Sequence, residues 1–206
     1  FRRVLFRSQA GGIADADFVQ QVRQIAEDIP PAEWRERRQL VDSYLHGTTD
    51  LLKVPMLVGS LLYDHRGDGL RKYNAALLFT PGVKTPQVYH KIQLVPFGEY
   101  IPLIDVLPWL TVFTPYRDGY LPTLTFGRKA NSLDVGPYRV AVGICFEDTV
   151  PHLIRRFFRE PADGRQPDVL VDMSNDGWFR GSAELNMHLA VSIFRCIENR
   201  VPLARA

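Results

Sequence analysis

The stretch from Tyr138 to Asp148 limits the fold more than any other part of the sequence. Its alternating residues over Val140–Ile144 have the period of two that predicts a buried strand. The strand pattern ends at Cys145, and residues 150–159 follow with an apolar stripe at helical spacing, for which Asp148 or Thr149 could provide the cap. A cysteine between a strand and a helix lies near unpaired helix amides, which favour the thiolate. Taken alone, the same residue is also compatible with a small buried hydrophobe.

Hydrophobic periodicity on both sides of this stretch predicts a mixed α/β protein. The predicted helices are Asp15–Leu45, interrupted at Pro30-Pro31 and ended by His46-Gly47, then 150–159, then Leu185–Ile197 with Cys196 in the core. The predicted strands are Val54–Gly59 extended through Tyr63, Tyr73–Phe79, one that begins at Val88, Leu124–Leu133 as a strand or hairpin edge, Val169–Ser174, and one that begins at Val201.

Composition excludes several classes of protein. The 206 residues suffice for one sizeable domain, and 46% hydrophobic with 23% charged residues is typical of a water-soluble one. A net charge of +2 gives no reason to expect nucleic acid. No apolar run approaches the roughly 18 residues of a membrane span. Two cysteines exclude a disulfide scaffold, and the five histidines lack metal-ligand spacing, so we expect neither a metal nor another cofactor.

Two charged residues upstream complement Cys145. Lys91 follows a predicted strand, and Glu99 lies in a loop defined by Pro96 and Gly98. A nucleophilic cysteine needs a base for its proton and a cation or amides for the oxyanion that forms, and a lysine and a carboxylate can fill these roles. Taken singly, a lysine beside a strand is most often a solvated charge, and a Pro-Phe-Gly-Glu loop is often only a turn.

The combined motifs resemble the nitrilase superfamily and, within it, the apolipoprotein N-acyltransferase family. The resemblance covers about residues 54–206. Its motifs are Tyr89-His90-Lys91 with Leu94–Pro102, Gly143–Glu147 around the cysteine, Ser174–Phe179, and His188–Pro202. The combination of three motifs at matching spacing is far more specific than any one of them alone. The three are Leu-Val-Pro-Phe-Gly-Glu, the segment around Cys145, and Asn-Asp-Gly-Trp-Phe.

The resemblance implies an α-β-β-α sandwich with Cys145 as nucleophile, Lys91 holding the tetrahedral intermediate and Glu99 assisting. For the acyltransferase family it implies a phospholipid as acyl donor, a cysteine thioester, and the N-terminal amine of a lipid-modified cysteine on an apolipoprotein as acceptor. It further implies a bacterial inner-membrane enzyme whose catalytic domain faces the periplasm, with membrane helices in segments that this otherwise soluble chain lacks. A soluble hydrolase of small amides and a non-catalytic binding module are the alternatives.

Further candidate residues surround this set. The Phe146 amide could face an oxyanion, and Glu147 and Asp148 could orient the nucleophile or merely cap the following helix. His188 is expected to be a satisfied core histidine. Apolar and aromatic residues broken by prolines fill 101–122, which predicts a long loop that is either a lid or packed on its own domain. The remaining candidates are Asn175 and Trp178 in the pocket, and Trp109, Phe113 and Tyr116 as lid or lipid contacts.

The two ends of the sequence predict an incomplete domain. Phe1–Ser8 is either a short strand or foreign sequence, so we divide the chain into a segment 1–10 and a catalytic domain 11–206. The superfamily's base glutamate, expected in a Pro-Glu-Thr context before the lysine, has no counterpart, and the apolar strand at the other end would leave an open edge. We therefore expect truncation at both ends and no activity from these 206 residues alone.

Overall fold

The computed structural model describes residues 31–66, 69–114, 122–159, 161, 164–175 and 182–206. Its helices are α1 (Pro31–Leu52), α2 (Pro151–Arg159) and α3 (Glu184–Asn199), with 3₁₀ helices at Pro108–Phe113 and Cys145–Thr149. Its strands are β1 (Met56–Arg66), β2 (Gly69–Phe79), β3 (Gln87–His90), β4 (Leu133–Val135), β5 (Tyr138–Ile144), β6 (Val169–Met173) and β7 (Leu203–Arg205). We call Cys145–Thr149 the Cys145 turn. The predicted helix before Pro30 and the segment Phe1–Ser8 lie outside the described residues.

Two sheets organise these elements. One has the strand order β1-β2-β3, and the other has the order β4-β5-β6-β7. In the second sheet β4 runs antiparallel to β5, whereas β5, β6 and β7 are parallel. The carboxyl ends of parallel strands meet at one edge, so the Cys145 turn after β5 lies at the same edge as the ends of β6 and β7.

The chain forms two compact units, Phe1–Ser60 with Leu78–Pro86 and Leu61–Leu77 with Gln87–Ala206. In the first unit, His46 of α1 meets the Phe79 ring edge-on, with centroids 5.0 Å apart. The prediction that α1 ends at His46-Gly47 is wrong, because the helix continues to Leu52. Lys53 then takes the left-handed φ of 55° that ends it.

The second unit holds the core around β5, α2 and β6. Val140–Ile144 is buried throughout, and on α2 the predicted stripe is buried as well. The Asp148 carboxylate does not cap α2, since it bonds to α3 instead. Its neighbour Thr149 donates its hydroxyl backwards to the Phe146 carbonyl at 2.7 Å, so neither residue acts as the predicted cap.

Two predictions in this unit are corrected. In Leu124–Leu133 only Leu133 belongs to a strand, because the amides of Thr125 and Gly127 bond to the distant carbonyls of Lys72 and Lys91 rather than to a neighbouring ladder. Helix α3 exists, but its inward face is polar. Its buried residues are His188, Ser192 and Arg195, whereas Leu185, Leu189, Ile193 and Ile197 are exposed and Cys196 is only half-buried.

No helix in the part of the chain that the structure describes has the length and hydropathy needed to cross a membrane. The described part of 101–122 is irregular apart from the 3₁₀ helix Pro108–Phe113, as its prolines predicted.

Candidate functional site

Lys91 and Glu99 form a buried ion pair. The Lys91 ammonium, in a residue only 1% exposed, donates to Glu99 Oε2 at 2.8 Å. The same oxygen accepts the Val95 amide at 2.9 Å, and Oε1 accepts the Asn74 side-chain amide at 2.9 Å. Burial of a charge is costly unless the charge is paired, and the three donors hold this carboxylate in one orientation.

The main chain fixes both members of the pair. Strand β3 ends one residue before Lys91, whose amide donates to the Asn74 carbonyl at 2.8 Å and whose carbonyl accepts the Gly127 amide at 2.7 Å. A Cβ on Gly127 would lie 2.2 Å from the His90 carbonyl oxygen, so only glycine allows this approach. Glu99 is delivered by a tight loop, as predicted, in which its amide donates to the Val95 carbonyl at 2.8 Å.

Cys145 lies at the junction that its sequence context predicted. It follows β5 directly and begins the 3₁₀ helix. Its φ is 52°, a left-handed conformation that costs a residue with a Cβ roughly 1–2 kcal/mol and persists only where the surroundings impose it. The thiol is half-buried and forms no disulfide, and the same is true of Cys196.

Glu147 connects the Cys145 turn to the segment that follows Lys91. Its fully buried carboxylate accepts the amides of Ile92 and Gln93 on Oε1, at 2.7 and 3.0 Å. Oε1 also accepts the Tyr89 hydroxyl at 2.9 Å, while Oε2 accepts the Ile144 amide at 2.9 Å. One carboxylate therefore binds the start of its own turn and the main chain beside Lys91, and its predicted role in orienting the nucleophile stays a prediction.

Burial controls the ionisation of this cluster. Burial raises the pKa of Glu147, and the amides of Gln93, Ile144 and Ile92 oppose that rise by stabilising the carboxylate. The pKa of Tyr89 is raised well above its ordinary value, first by burial and then by the Glu147 charge. Tyr89 is therefore a neutral hydroxyl that donates to Glu147.

The other predicted site residues are placed as follows. Phe146 is half-buried in the Cys145 turn, and Asn175 is exposed just after β6. Trp109 and Phe113 are 60% and 59% exposed, with ring centroids 6.1 Å apart. Trp178 and Tyr116 lie outside the described residues. The structure thus brings Lys91, Glu99, Glu147 and the Cys145 turn together in one unit and places Trp109 and Phe113 on a solvent-facing loop.

A second buried polar cluster adjoins the Cys145 turn. The Asp148 carboxylate pairs with the His188 imidazole at 3.0 Å and accepts the Ser192 hydroxyl at 2.6 Å. Arg205 of β7 lies 2.8 Å from Asp172 Oδ2 of β6, and Asp148 and Asp172 are both fully buried. His188 is the satisfied core histidine that the sequence predicted.

The geometry of this cluster resembles a cation site. Asp148, Asp172 and His188 offer ligand atoms within 4.8 Å of one another. The guanidinium of Arg205 bonds to Asp172 and to His188 Nδ1 at 2.8 Å and lies 3.8 Å from Asp148. The Arg205 guanidinium therefore supplies the positive charge that this carboxylate cluster requires.

Sequence reasoning missed Asn74 and most of this second cluster. One signal was present, since Asp172 interrupts the buried run Val169–Met173 and a carboxylate inside an apolar strand needs a partner. Asn74 carries no comparable signal, because its amide meets Glu99 through the fold of the chain, 25 residues away.

Comparison with known proteins identifies the family. Residues 45–206 match the sequence profile of the carbon-nitrogen hydrolases. The chain belongs to this family. The nitrilase-superfamily assignment made from the lysine, cysteine and Asn-Asp-Gly-Trp-Phe motifs is thereby confirmed.

Curated relatives of this carbon-nitrogen hydrolase chain are named apolipoprotein N-acyltransferases. The protein of Geobacter metallireducens is 35% identical over 164 residues, which are 80% of this chain and 30% of that protein. The Treponema pallidum apolipoprotein N-acyltransferase 1 is 35% identical over 193 residues, which are 86% of this chain and 34% of that protein. The chain thus spans about a third of the length of these relatives.

Solved structures of this superfamily share the fold. A carbon-nitrogen hydrolase from Helicobacter pylori G27 gives a TM-score of 0.57 at 15% identity, over 85% of this chain and 54% of that one. An amidase from Nesterenkonia sp. AN1 gives 0.56 at 16% identity, over 89% and 58%. These likenesses confirm the predicted α-β-β-α class.

Proposed function

We propose that this carbon-nitrogen hydrolase domain performs lipoprotein N-acylation, transferring an acyl chain from a phospholipid through a Cys145 thioester to the N-terminal amine of a lipid-modified cysteine on an apolipoprotein. The observation that carries the proposal is the buried Lys91–Glu99 pair, which Glu147 ties to the Cys145 turn. The names of the relatives support this activity over others in the superfamily.

In the first half-reaction the Cys145 thiolate attacks the ester carbonyl of the phospholipid. A general base takes the thiol proton, a role that the family resemblance gives to a glutamate. The Lys91 ammonium, held by Glu99, stabilises the oxyanion of the tetrahedral intermediate, with the Phe146 amide as a second donor. The C–O bond then breaks, the lysophospholipid oxygen takes up the proton, and the thioester remains.

In the second half-reaction the acceptor amine attacks the thioester carbonyl. The same lysine stabilises the second oxyanion, the C–S bond breaks, and the amine proton leaves through the base while Cys145 returns to its starting state. The acyltransferase differs from an amidase only in the groups that enter and leave, because thioester chemistry serves both.

The exposed loop carrying Trp109 and Phe113 fits a lipid substrate. Both aromatic side chains, like Val106 and Val112, are more than half exposed. Exposed apolar side chains grouped in one segment are typical of a surface that contacts a membrane or a ligand. We assign them to the acyl chains, with Tyr116 and Trp178 as further contacts and Asn175 at the pocket edge, in an enzyme at the bacterial inner membrane whose domain faces the periplasm.

The test is acyl transfer onto Cys145 in the complete product of the gene that contains this chain. The protein is incubated with phospholipid carrying a labelled acyl chain and digested with trypsin, which separates Cys145 in residues 140–155 from Cys196 in 196–200. We expect hydroxylamine-sensitive label on the first peptide, retained in Cys196→Ala and absent in Cys145→Ala. Trp109→Ala is expected to raise the KM for phospholipid.

The outcomes separate the candidate functions. Label that survives Cys145→Ala, or no label at all, overturns the proposed acyl transfer. Release of ammonia from small amides by the unlabelled protein would identify the amidase alternative instead.

A further inference from the structure

Asp148 is buried in the middle of the Cys145 turn, and both of its oxygens are engaged by α3. Oδ1 lies 3.0 Å from His188 Nε2, and Oδ2 accepts the Ser192 hydroxyl at 2.6 Å. An aspartate that only began the following helix would accept the amides of that helix. This carboxylate therefore anchors the turn to a separate element.

Arg205 fixes the direction of the hydrogen bonds. Its guanidinium can only donate, and it donates to His188 Nδ1 at 2.8 Å, so this nitrogen carries a lone pair. The imidazole proton is then on Nε2 and points at Asp148. Arg205, neutral His188 and Asp148 form a chain of defined polarity from β7 to the Cys145 turn, while Asp172 neutralises the other side of the guanidinium at 2.8 Å.

The turn is held from two sides by consecutive residues. Glu147 binds it to the main chain at Ile92 and Gln93, and Asp148 binds it to α3 and, through His188, to β7. Between these anchors and β5 lies Cys145, at a φ of 52° that the chain does not adopt unaided. Loss of either anchor allows the cysteine to relax towards an ordinary conformation.

We propose that Asp148 is a positioning residue for the nucleophile, acting through the His188–Arg205 chain and Ser192 to hold Cys145 in its left-handed conformation. Asp148 is fully buried, so its role acts through other residues and not through contact with substrate. In its acylation readout this inference rests on the proposed function, since it assigns Asp148 to the step in which Cys145 attacks.

The experiment compares Asp148→Asn with two controls in the complete gene product. Asp134→Asn removes an exposed carboxylate of β4, and Leu133→Ala truncates the residue before it, which is 1% exposed and pairs with Val140 of β5. We expect Asp148→Asn to lower the single-turnover rate of Cys145 acylation at saturating phospholipid by about tenfold or more, because small misplacements of reacting groups have large costs. The KM should stay within about twofold.

Leu133→Ala separates positioning from stability. Its melting temperature is expected to fall at least as far as that of Asp148→Asn, with an acylation rate within about twofold of the unmodified protein. If both variants lose rate in proportion to stability, or Asp148→Asn acylates normally, the proposal is overturned. Ser192→Ala, which keeps the charge, is the second variant should Asp148→Asn not fold, and its rate is expected to fall while Asp134→Asn stays unchanged.

A second readout needs no acyl transfer. Alkylation of Cys145 by iodoacetamide is followed on peptide 140–155, with peptide 196–200 as the internal reference. We expect Asp148→Asn to change the Cys145 rate constant by about threefold or more, and a smaller change overturns the proposal. A protein that shows this change but forms no thioester would contradict the proposed function and leave the positioning role standing.

Discussion

At the scale of single residues, the site is built around an ammonium that water hardly reaches. Lys91 is 1% exposed, and its partner Glu99 is itself held by Asn74 and the Val95 amide. Such a pair adds little net stability, because desolvation offsets the attraction. In the proposed mechanism its value lies in placing a fixed positive charge where an oxyanion forms.

Asn74→Ala tests how far Glu99 depends on its outer donor. Without the 2.9 Å hydrogen bond to Oε1 the carboxylate can rotate, and Lys91 moves with it. We expect the acylation rate of Cys145 to fall by about tenfold and the free energy of unfolding by about 1 kcal/mol. Single-turnover acylation and urea unfolding measure the two effects.

The matched control is Gln87→Ala on the neighbouring strand. Gln87 exchanges two hydrogen bonds with the main chain of Asp134 and has none with Glu99. It should lose stability and keep its acylation rate. Equal rates for Asn74→Ala and Gln87→Ala would show that Asn74 does not orient the carboxylate.

The residues proposed to carry the chemistry were readable from the sequence, and so was Glu147, whereas Asn74 and Arg205 were not. Lys91, Glu99 and Cys145 stand in motifs with fixed spacing. Asn74 and Arg205 are identified only in the folded chain, since Arg205 meets Asp172 through strand register and Asn74 meets a carboxylate that a loop delivers. Only the position of Asp172 inside an apolar strand indicated from the sequence that a polar partner had to exist.

At the scale of elements, one short 3₁₀ helix connects the two halves of the site. Glu147 accepts four donors from three places in the chain, namely Tyr89, the 92–93 main chain and Ile144. A carboxylate only accepts, so every one of these donors is satisfied. The turn therefore has a defined position relative to Lys91.

Glu147→Gln is expected to destabilise the protein at neutral pH by about 2 kcal/mol, because the new amide nitrogen faces a donor and leaves it unsatisfied. Urea unfolding measures the change. Glu184→Gln, at the exposed start of α3, makes the same substitution without buried donors and should have little effect. Similar losses for the two variants would contradict the connecting role of Glu147.

Helix α3 shows why element prediction from periodicity has limits. Its extent was predicted within two residues at each end and His188 was expected in the core, yet Cys196, also assigned to the core, is only half-buried. Buried carboxylates on the Cys145 turn and β6 instead require His188 and Ser192 to face them, and this requirement overrides the pattern. A similar limit applies at Gly47, where the sequence predicted the end of α1. The helix continues through this glycine to Leu52.

At the scale of the whole molecule, the buried carboxylates make stability depend on pH. Burial and the nearby Asp148 raise the pKa of Asp172 from 3.8 to about 6, and Arg205 opposes the rise. Between these two values the folded state keeps a proton that the unfolded state has released. The contribution of Asp172 to stability is therefore largest at low pH and falls as the pH rises through about 6.

Comparison with Asp172→Asn isolates this effect. Between pH 5 and 7 the unmodified protein is expected to lose roughly 1 kcal/mol of unfolding free energy relative to the variant. Urea unfolding at several pH values gives the difference, and Asp134→Asn reports what removal of an exposed carboxylate does over the same range. A difference between the unmodified protein and Asp172→Asn that is constant with pH would show that Asp172 does not titrate there.

The mixed α/β class could be predicted from the sequence because strands and helices alternate with clear periods. The family motifs then indicated the α-β-β-α arrangement. Irregular segments did not follow, since their conformation depends on contacts made elsewhere. Residues 124–132 have the composition of a strand but bond to single carbonyls of Lys72 and Lys91.

The packing of Gly127 against the main chain beside Lys91 restricts how this domain can change over generations. Even one added methyl group would have to occupy the space of the His90 carbonyl oxygen, which is backbone and cannot be exchanged for something smaller. No substitution at a neighbouring side chain compensates for it. Any side chain at position 127 would therefore have to displace the main chain beside Lys91, although the two residues lie 36 positions apart in the sequence.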